Sequence, residues 1–257
     1  MNKTKRKPPR RIFDQEPSSW QDLQNYVAQV FTEIGCRVET DVEVQLARDR
    51  VNLDVFVRDL TTVPHSNYVC ECKYWTKRVP KSVVHSFRTV MQDLGANHGF
   101  IISRSGFQSG ARDAARFTNV DLLSWREFEE MIFERWLCGI TRKLDPMFAT
   151  AFELMDDERA EELWKLKECT EASYNEWSGI SSRHQLIIAW ALLQWHYPRG
   201  IGAIASIGFT DSGVLGLKNG PVVLDTYRKI VDASPIICSH ARQELETFWG
   251  LNRKHPV

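Results

Sequence analysis

The segment Tyr68-Val69-Cys70-Glu71-Cys72-Lys73, together with Val51-Asn52-Leu53-Asp54-Val55-Phe56-Val57 before it, constrains this chain more than any other stretch. Both pieces alternate apolar and β-branched residues with others, as half-buried strands do, and His65, Ser66 and Asn67 punctuate the connection between them. Successive side chains of a strand point to opposite faces. Val69, Glu71 and Lys73 therefore share one face, and Tyr68, Cys70 and Cys72 take the other. Asp54 faces away from Leu53 and Val55 in the earlier strand. If the two strands pair in register, Asp54, Glu71 and Lys73 meet at one point, two carboxylates with an ammonium beside them. Mg²⁺ takes hard oxygen ligands and keeps several waters, so one or two carboxylates suffice to hold it. A metal so held lowers the pKa of its water and stabilises charge on a phosphoryl oxygen. The lysine would orient the attacking water or offset charge in the transition state. The same spacing also describes a plain Glu71–Lys73 salt bridge on an exposed strand face.

The flanking sequence predicts an α/β domain in the order helix, three strands, helix, strand, helix, strand, helix. Trp20, Leu23, Val27, Val30, Phe31 and Ile34 stripe one face of the opening helix, and Gly35 ends it. Arg37 to Gln45 alternates and makes the first strand. A crossover helix covers Lys81 to Gly95, with Val83, Val84, Phe87, Val90, Met91 and Leu94 at helical spacing. The helix 109–117 between strands 99–103 and 120–123 forms a βαβ unit, which implies a parallel pair. The connection Thr61 to Asn67 reads as a hairpin loop, or as a DNA-facing insertion. Beyond Asp145-Pro146 the pattern turns helical. Phe148, Phe152, Met155, Leu163, Trp164 and Leu166 mark stretches interrupted near Asp156-Asp157, followed by a strongly apolar helix from Arg183 to His196. Val222 to Val231 and Ile236 to Trp249 read as two more helices, each introduced by a proline (Pro221, Pro235) in its first turn. Trp164, Trp177, Trp190, Trp195 and Trp249 fall in this half, as a helical core or as an exposed aromatic surface. The expected organisation is a basic tail at 1–17, an α/β domain at 18–140 and a mainly helical domain at 141–257.

From about residue 18 to 135 the chain resembles the Mrr-type restriction endonucleases of the PD-(D/E)xK nuclease superfamily. The resemblance rests on the opening helix from Ser19, on Asp54, on Glu71-Cys72-Lys73-Tyr74-Trp75, and on Gly99-Phe100-Ile101-Ile102-Ser103-Arg104-Ser105-Gly106-Phe107, in that order. It implies a restriction-endonuclease-like mixed sheet flanked by helices, with Asp54 and Glu71 as metal-binding carboxylates and Lys73 as the signature lysine. It further implies Mg²⁺, with Mn²⁺ as a substitute, acting on DNA in bacterial restriction and anti-phage defence. One position departs: where the family places a glutamate in the first helix, this chain has Gln24, which contributes no charge. Gln24 and Glu43 are therefore accessory candidates, with Asp22 as another nearby carboxylate. Lys77, Arg78, Lys81 and Arg104 follow the two central strands and are expected to meet phosphates, or else to form a solvated face. The competing reading is a non-catalytic or partner-activated nucleic-acid-binding subunit with the same fold.

Composition narrows the alternatives. The 33 basic and 33 acidic residues cancel, so any affinity for nucleic acid needs local segregation of charge. Lys3, Lys5, Arg6, Lys7, Arg10 and Arg11 supply one basic segment, a solubilising tail or a DNA-binding arm. No apolar core follows those charges and no run is long enough to span a membrane, so a cytoplasmic protein is expected. The six cysteines lack zinc-site spacing and read as reduced. His184, His196 and His240 are far apart in sequence and read as core or surface histidines. Gly200 to Gly220 lacks the Gly-Lys-Ser/Thr ending of a phosphate loop and reads as a mobile loop, and Ser105-Gly106 makes no G-x-S-x-G elbow. The apolar C-terminal helices suggest contact with a second copy, as a homodimer, or with another subunit.

Overall fold

A computed structural model describes residues 10–46, 50–155, 161, 165, 170–196, 205, 209–211, 214–215 and 222–250. The segment Met1–Pro9, the Asp156-Asp157 break, Leu163, Trp164, Leu166, most of Gly200–Gly220, Pro221 and the Trp195 side chain lie outside the described residues. Two compact units emerge, Arg10–Gly139 and one that starts at Ile140.

In the first unit Ser19 caps α1 (Trp20–Ile34), its hydroxyl accepting the Asp22 N–H at 3.0 Å. Gly35, at φ +103°, closes the helix in the left-handed conformation, and the N–H groups of Gly35 and Cys36 donate to the Thr32 and Phe31 carbonyls at 3.0 Å. Five strands follow in chain order across one sheet: β1 (Arg37–Gln45), β2 (Arg50–Asp59), β3 (Ser66–Lys73), β4 (His98–Ser103) and β5 (Val120–Leu123). The β1–β2 and β2–β3 pairs are antiparallel, whereas β3–β4 and β4–β5 are parallel. Each parallel pair needs a crossover, and α2 (Lys81–Asp93) and α3 (Ser109–Ala115) supply them. The helix α4 (Trp125–Glu153) follows β5. The predicted order and the mixed sheet are those observed.

Both faces of the sheet are covered, which explains why its central strands are almost continuously apolar. Val69, Ile101 and Val120 meet Val84, Phe87 and Met91 of α2 and Ala111 of α3 on one face. On the other, Phe31 of α1, Phe128 of α4, Tyr68 and Phe100 cluster with ring centroids 5.9–6.2 Å apart. Asp59 is fully buried, yet every demand of its carboxylate is met. It accepts from the Tyr68 hydroxyl at 2.9 Å and the Thr61 N–H at 3.0 Å, and pairs with Arg135 of α4.

The second unit contains α5 (Glu171–Arg183), α6 (Gln185–His196), a two-stranded antiparallel pair of β6 (Phe209–Asp211) and β7 (Val222–Leu224), and α7 (Tyr227–Trp249). Trp177, Trp190 and Trp249 are buried, and Phe148 stacks on Trp190 at 4.4 Å. These three tryptophans are core, not surface. Three expectations are corrected. Val222–Leu224 is a strand, and the stretches 222–231 and 236–249 are not two helices, because α7 runs through Pro235 without a break. Thr226, accepting the Lys229 N–H at 3.2 Å, is the true N-cap. An interior proline costs about 3 kcal/mol. The buried stripe Ile230, Ile237, Ala241, Leu245 and Trp249 continues on both sides of it, and each large apolar side chain buried contributes about 1.5–3 kcal/mol. The predicted helix from Arg183 divides at His184, which ends α5 before α6 begins.

Candidate active site

The β2–β3 register fixes the site. Val55 pairs with Cys70 and Phe56 with Val69, which puts Asp54 across from Glu71 on the same face of the sheet. Cys70 and Cys72 are buried on the opposite face, as alternation predicts. Asp54 turns its carboxylate back to the neighbouring strand, where Oδ2 accepts the Cys72 N–H at 2.6 Å. Lys73 pairs with Glu71, and its Nζ also lies 5.1 Å from the centre of the Trp75 ring. Lys73 and Glu71 keep only 17% and 21% of their side-chain surface in water, so this is a shielded pair at the end of a central strand and not a solvated one.

Electrostatics single out Asp54. Burial, and then the Glu71 carboxylate, push its pKa up to about 6. The Cys72 N–H, Lys73 and a hydrogen bond from Trp20 act the other way and do not cancel those effects. A half-buried carboxylate forced up by its neighbour marks surplus negative charge with one lysine to offset it. Two hard oxygen donors so placed fit a divalent cation.

The loop after Lys73 is held by the signature downstream of β4. The Ser105 hydroxyl is hydrogen-bonded to the carbonyls of Trp75 (2.7 Å) and Lys77 (2.8 Å). Gly106, at φ +75°, adopts a conformation that a side chain would strain, and its carbonyl accepts the Val79 N–H at 2.9 Å. Phe107 is buried beside it. The Ser-Gly-Phe run thus clamps the segment that leaves the candidate catalytic strand.

The other candidates are more dispersed. Gln24 is fully buried, with Nε2 donating to the Asp54 main-chain carbonyl at 2.7 Å and Oε1 accepting from Gln21 at 3.0 Å. Both ends of its amide are thereby engaged. Asp22 serves the start of α1, accepting the Ser18 N–H at 3.1 Å. Glu43 is exposed and paired with Arg50 at 3.1 Å. Lys77, Arg78, Lys81 and Arg104 are all exposed, and Arg104 lies over the Tyr74 ring at 4.6 Å. Trp20 and Trp75, which contact Asp54 and Lys73, were not among the candidates. The position of Trp75 two residues after Lys73, on the same strand face if the strand continued, was the available signal.

Residues 16–132 match the Mrr_cat family, described as a restriction endonuclease. The match contains Asp54, Glu71 and Lys73 and every strand of the mixed sheet, in agreement with the resemblance read from the motifs. No curated protein matches the chain. The crystal structure of a protein of unknown function, AF1548, is similar at 21% identity and a TM-score of 0.36, over 41% of this chain and 57% of that one. Among the described residues, no helix is long and apolar enough to cross a membrane.

Proposed function

We propose that the Mrr-type restriction-endonuclease domain at residues 16–132 hydrolyses DNA phosphodiester bonds with a divalent metal held by Asp54 and Glu71. The observation that carries this reading is the pairing of those two carboxylates across β2 and β3, close enough that Glu71 raises the Asp54 pKa. When bound there, Mg²⁺ or Mn²⁺ supplies Lewis acidity and an activated water. Asp54 is oriented by the Cys72 N–H. Lys73, held by Glu71 and Trp75, stands where its ammonium offsets charge that develops on the phosphoryl group. Lys77, Arg78, Lys81 and Arg104 are the side chains assigned to the DNA backbone, and bacterial defence is the setting the family suggests.

The test is cleavage of plasmid DNA by the full chain with and without Mg²⁺ or Mn²⁺, alongside Asp54→Ala, Glu71→Ala and Lys73→Ala. Each substitution should slow cleavage by about a thousandfold or more, equivalent to ~4 kcal/mol of barrier. A Glu71→Ala protein that is folded and cuts at the unmodified rate would sink the assignment. A second reading is favoured by Gln24, which offers no carboxylate and spends its amide on the Asp54 carbonyl. In that reading the domain binds DNA and cuts only when a partner activates it. DNA binding without cleavage by the isolated chain would select it.

A further inference from the structure

A second cluster of ligand-forming side chains lies in the C-terminal unit, outside the nuclease domain. It consists of His184, at the junction of α5 and α6, with His240 and Glu244 of α7. The two histidines are far apart in sequence, yet their rings face each other with centroids 5.7 Å apart. His184 Nε2 lies 2.7 Å from Glu244 Oε2, and His240 Nδ1 lies 3.5 Å from the same oxygen. One ligand atom from each of the three residues falls within 4.8 Å of the others, the only such grouping of histidine, cysteine and carboxylate side chains among the described residues.

We propose that His184, His240 and Glu244 form a binding site for one transition-metal dication of the zinc class, separate from the carboxylate pair of the nuclease domain. Two imidazoles and a carboxylate suit Zn²⁺ or Co²⁺ and disfavour Mg²⁺, which prefers oxygen alone. His240 and Glu244 are one helical turn apart, so a single rigid face of α7 presents both. Arg183 bonds Glu244 Oε1 at 2.9 Å, which orients the carboxylate so that Oε2 is the oxygen turned to the two histidines.

His184 supplies an independent indication. Its side chain is fully buried, and Nδ1 has no hydrogen-bond partner among the described residues. A buried imidazole that gives one nitrogen to a carboxylate and leaves the other unpaired is a poor hydrogen-bonding arrangement. Nε2 is the nitrogen that faces Glu244, and it is the atom a cation held between the three side chains would meet. A groove of about 810 Å³, lined in part by Glu176, Gly179, Arg183, His240, Gln243 and Glu244, gives access to the cluster. Three protein ligands leave a fourth tetrahedral position for water from that groove. The ion would tie α7 to the α5–α6 junction and stabilise this unit by linkage.

The experiment uses the full chain carrying Asp54→Asn and Glu71→Gln, which removes the nuclease carboxylates from the measurement. After stripping with a chelator, Zn²⁺ is titrated calorimetrically and Co²⁺ is followed by its visible absorption. One Zn²⁺ per chain is expected, together with a tetrahedral cobalt spectrum and a thermal midpoint that rises with zinc concentration. His240→Ala should weaken zinc binding by more than about tenfold and abolish the cobalt band, since even lost outer-shell partners cost about 10–100-fold. His240 is half exposed, so this variant keeps the fold available if Glu244→Gln does not. Absence of zinc binding in the doubly substituted chain, or equal affinity in folded His240→Ala, would overturn the proposal.

Discussion

At the scale of single residues, the site sets function against stability, and Asp54 carries most of the conflict. Its folded-state pKa is raised from the ordinary 3.8 to about 6, so the native protein holds that proton more tightly than the unfolded chain does. The sign follows directly. The contribution favours folding below about pH 4 and is lost as pH rises through 6, where charged Asp54 burdens the metal-free protein. Asn at this position keeps an acceptor for the Cys72 N–H and drops the charge. Asp54→Asn should therefore stabilise the metal-free protein at pH 8 by roughly 1 kcal/mol, a value kept small because Asp54 still touches water. The gain should vanish near pH 4, as read from urea unfolding at the two pH values. A gain of equal size at both would remove the electrostatic explanation. Gln24 tests the same corner from the other side. Its amide donates to the Asp54 carbonyl, so Gln24→Glu replaces a donor with an acceptor in a fully buried place. Unfolding of metal-free Gln24→Glu should show a loss of about 1–3 kcal/mol. An unchanged midpoint would mean that the side chain turns away and is free to serve a metal. Sequence alone supplied the identity of Gln24, but the direction of an amide depends on which main-chain group lies opposite, and periodicity carries no such information.

Among secondary-structure elements, what could be read in advance was whatever repeats with a short period. The faces of β2 and β3, and with them the meeting of Asp54 and Glu71, follow from alternation once the register is assumed, and the observed register is the one assumed. The helix α7 was misread because local rules favour stopping at Pro235, while the buried stripe that overrides them is tertiary. His240 and Glu244 were one turn apart on a legible helix, but their partner His184 comes from another element, so no spacing revealed the trio. The glycine of the Gly-hydrophobic-strand signature illustrates the reverse case, a motif residue whose reason is packing. A Cβ on Gly99 would stand 2.6 Å from Phe87 Cε1 and 2.7 Å from Met91 Sδ, so β4 approaches α2 as closely as it does only because the side chain is missing. Gly99→Ala should destabilise the N-terminal unit by about 1–3 kcal/mol, the usual cost of overpacking a core. Denaturant midpoints would show it, and trimming the obstacle with Met91→Ala in the same chain should recover part of the specific clash. Additive losses in the double variant would locate the strain elsewhere.

Considered as a whole, the molecule has no net charge to draw it to DNA, with 33 basic residues against 33 acidic ones. The N-terminal unit was legible because its motifs sit on a periodic sheet. The C-terminal half was legible only as helical, since its contacts join elements that share no pattern. Charge placement adds what composition conceals. On the β1–β2 side, Arg50 is paired with Glu43 at 3.1 Å and Arg58 with Glu39 at 3.4 Å. Lys77, Arg78 and Lys81 are exposed just beyond the candidate catalytic strand and form no ion pair among the described residues. Phosphate binding releases condensed counterions, and each contact contributes about 0.9 to the slope of log affinity against log salt. Removing Lys77, Arg78 and Lys81 together, in an Asp54→Asn background that prevents cleavage, should therefore reduce that slope by more than about two. Arg50→Ala with Arg58→Ala should leave it nearly unchanged, because those guanidinium groups already have carboxylate partners. Fluorescence anisotropy of a labelled duplex over a salt series separates the two cases. Equal slopes for the triple variant and its parent would move the DNA contact away from the mouth of the candidate site, and the basic sequence Met1–Pro9 would be the next to truncate.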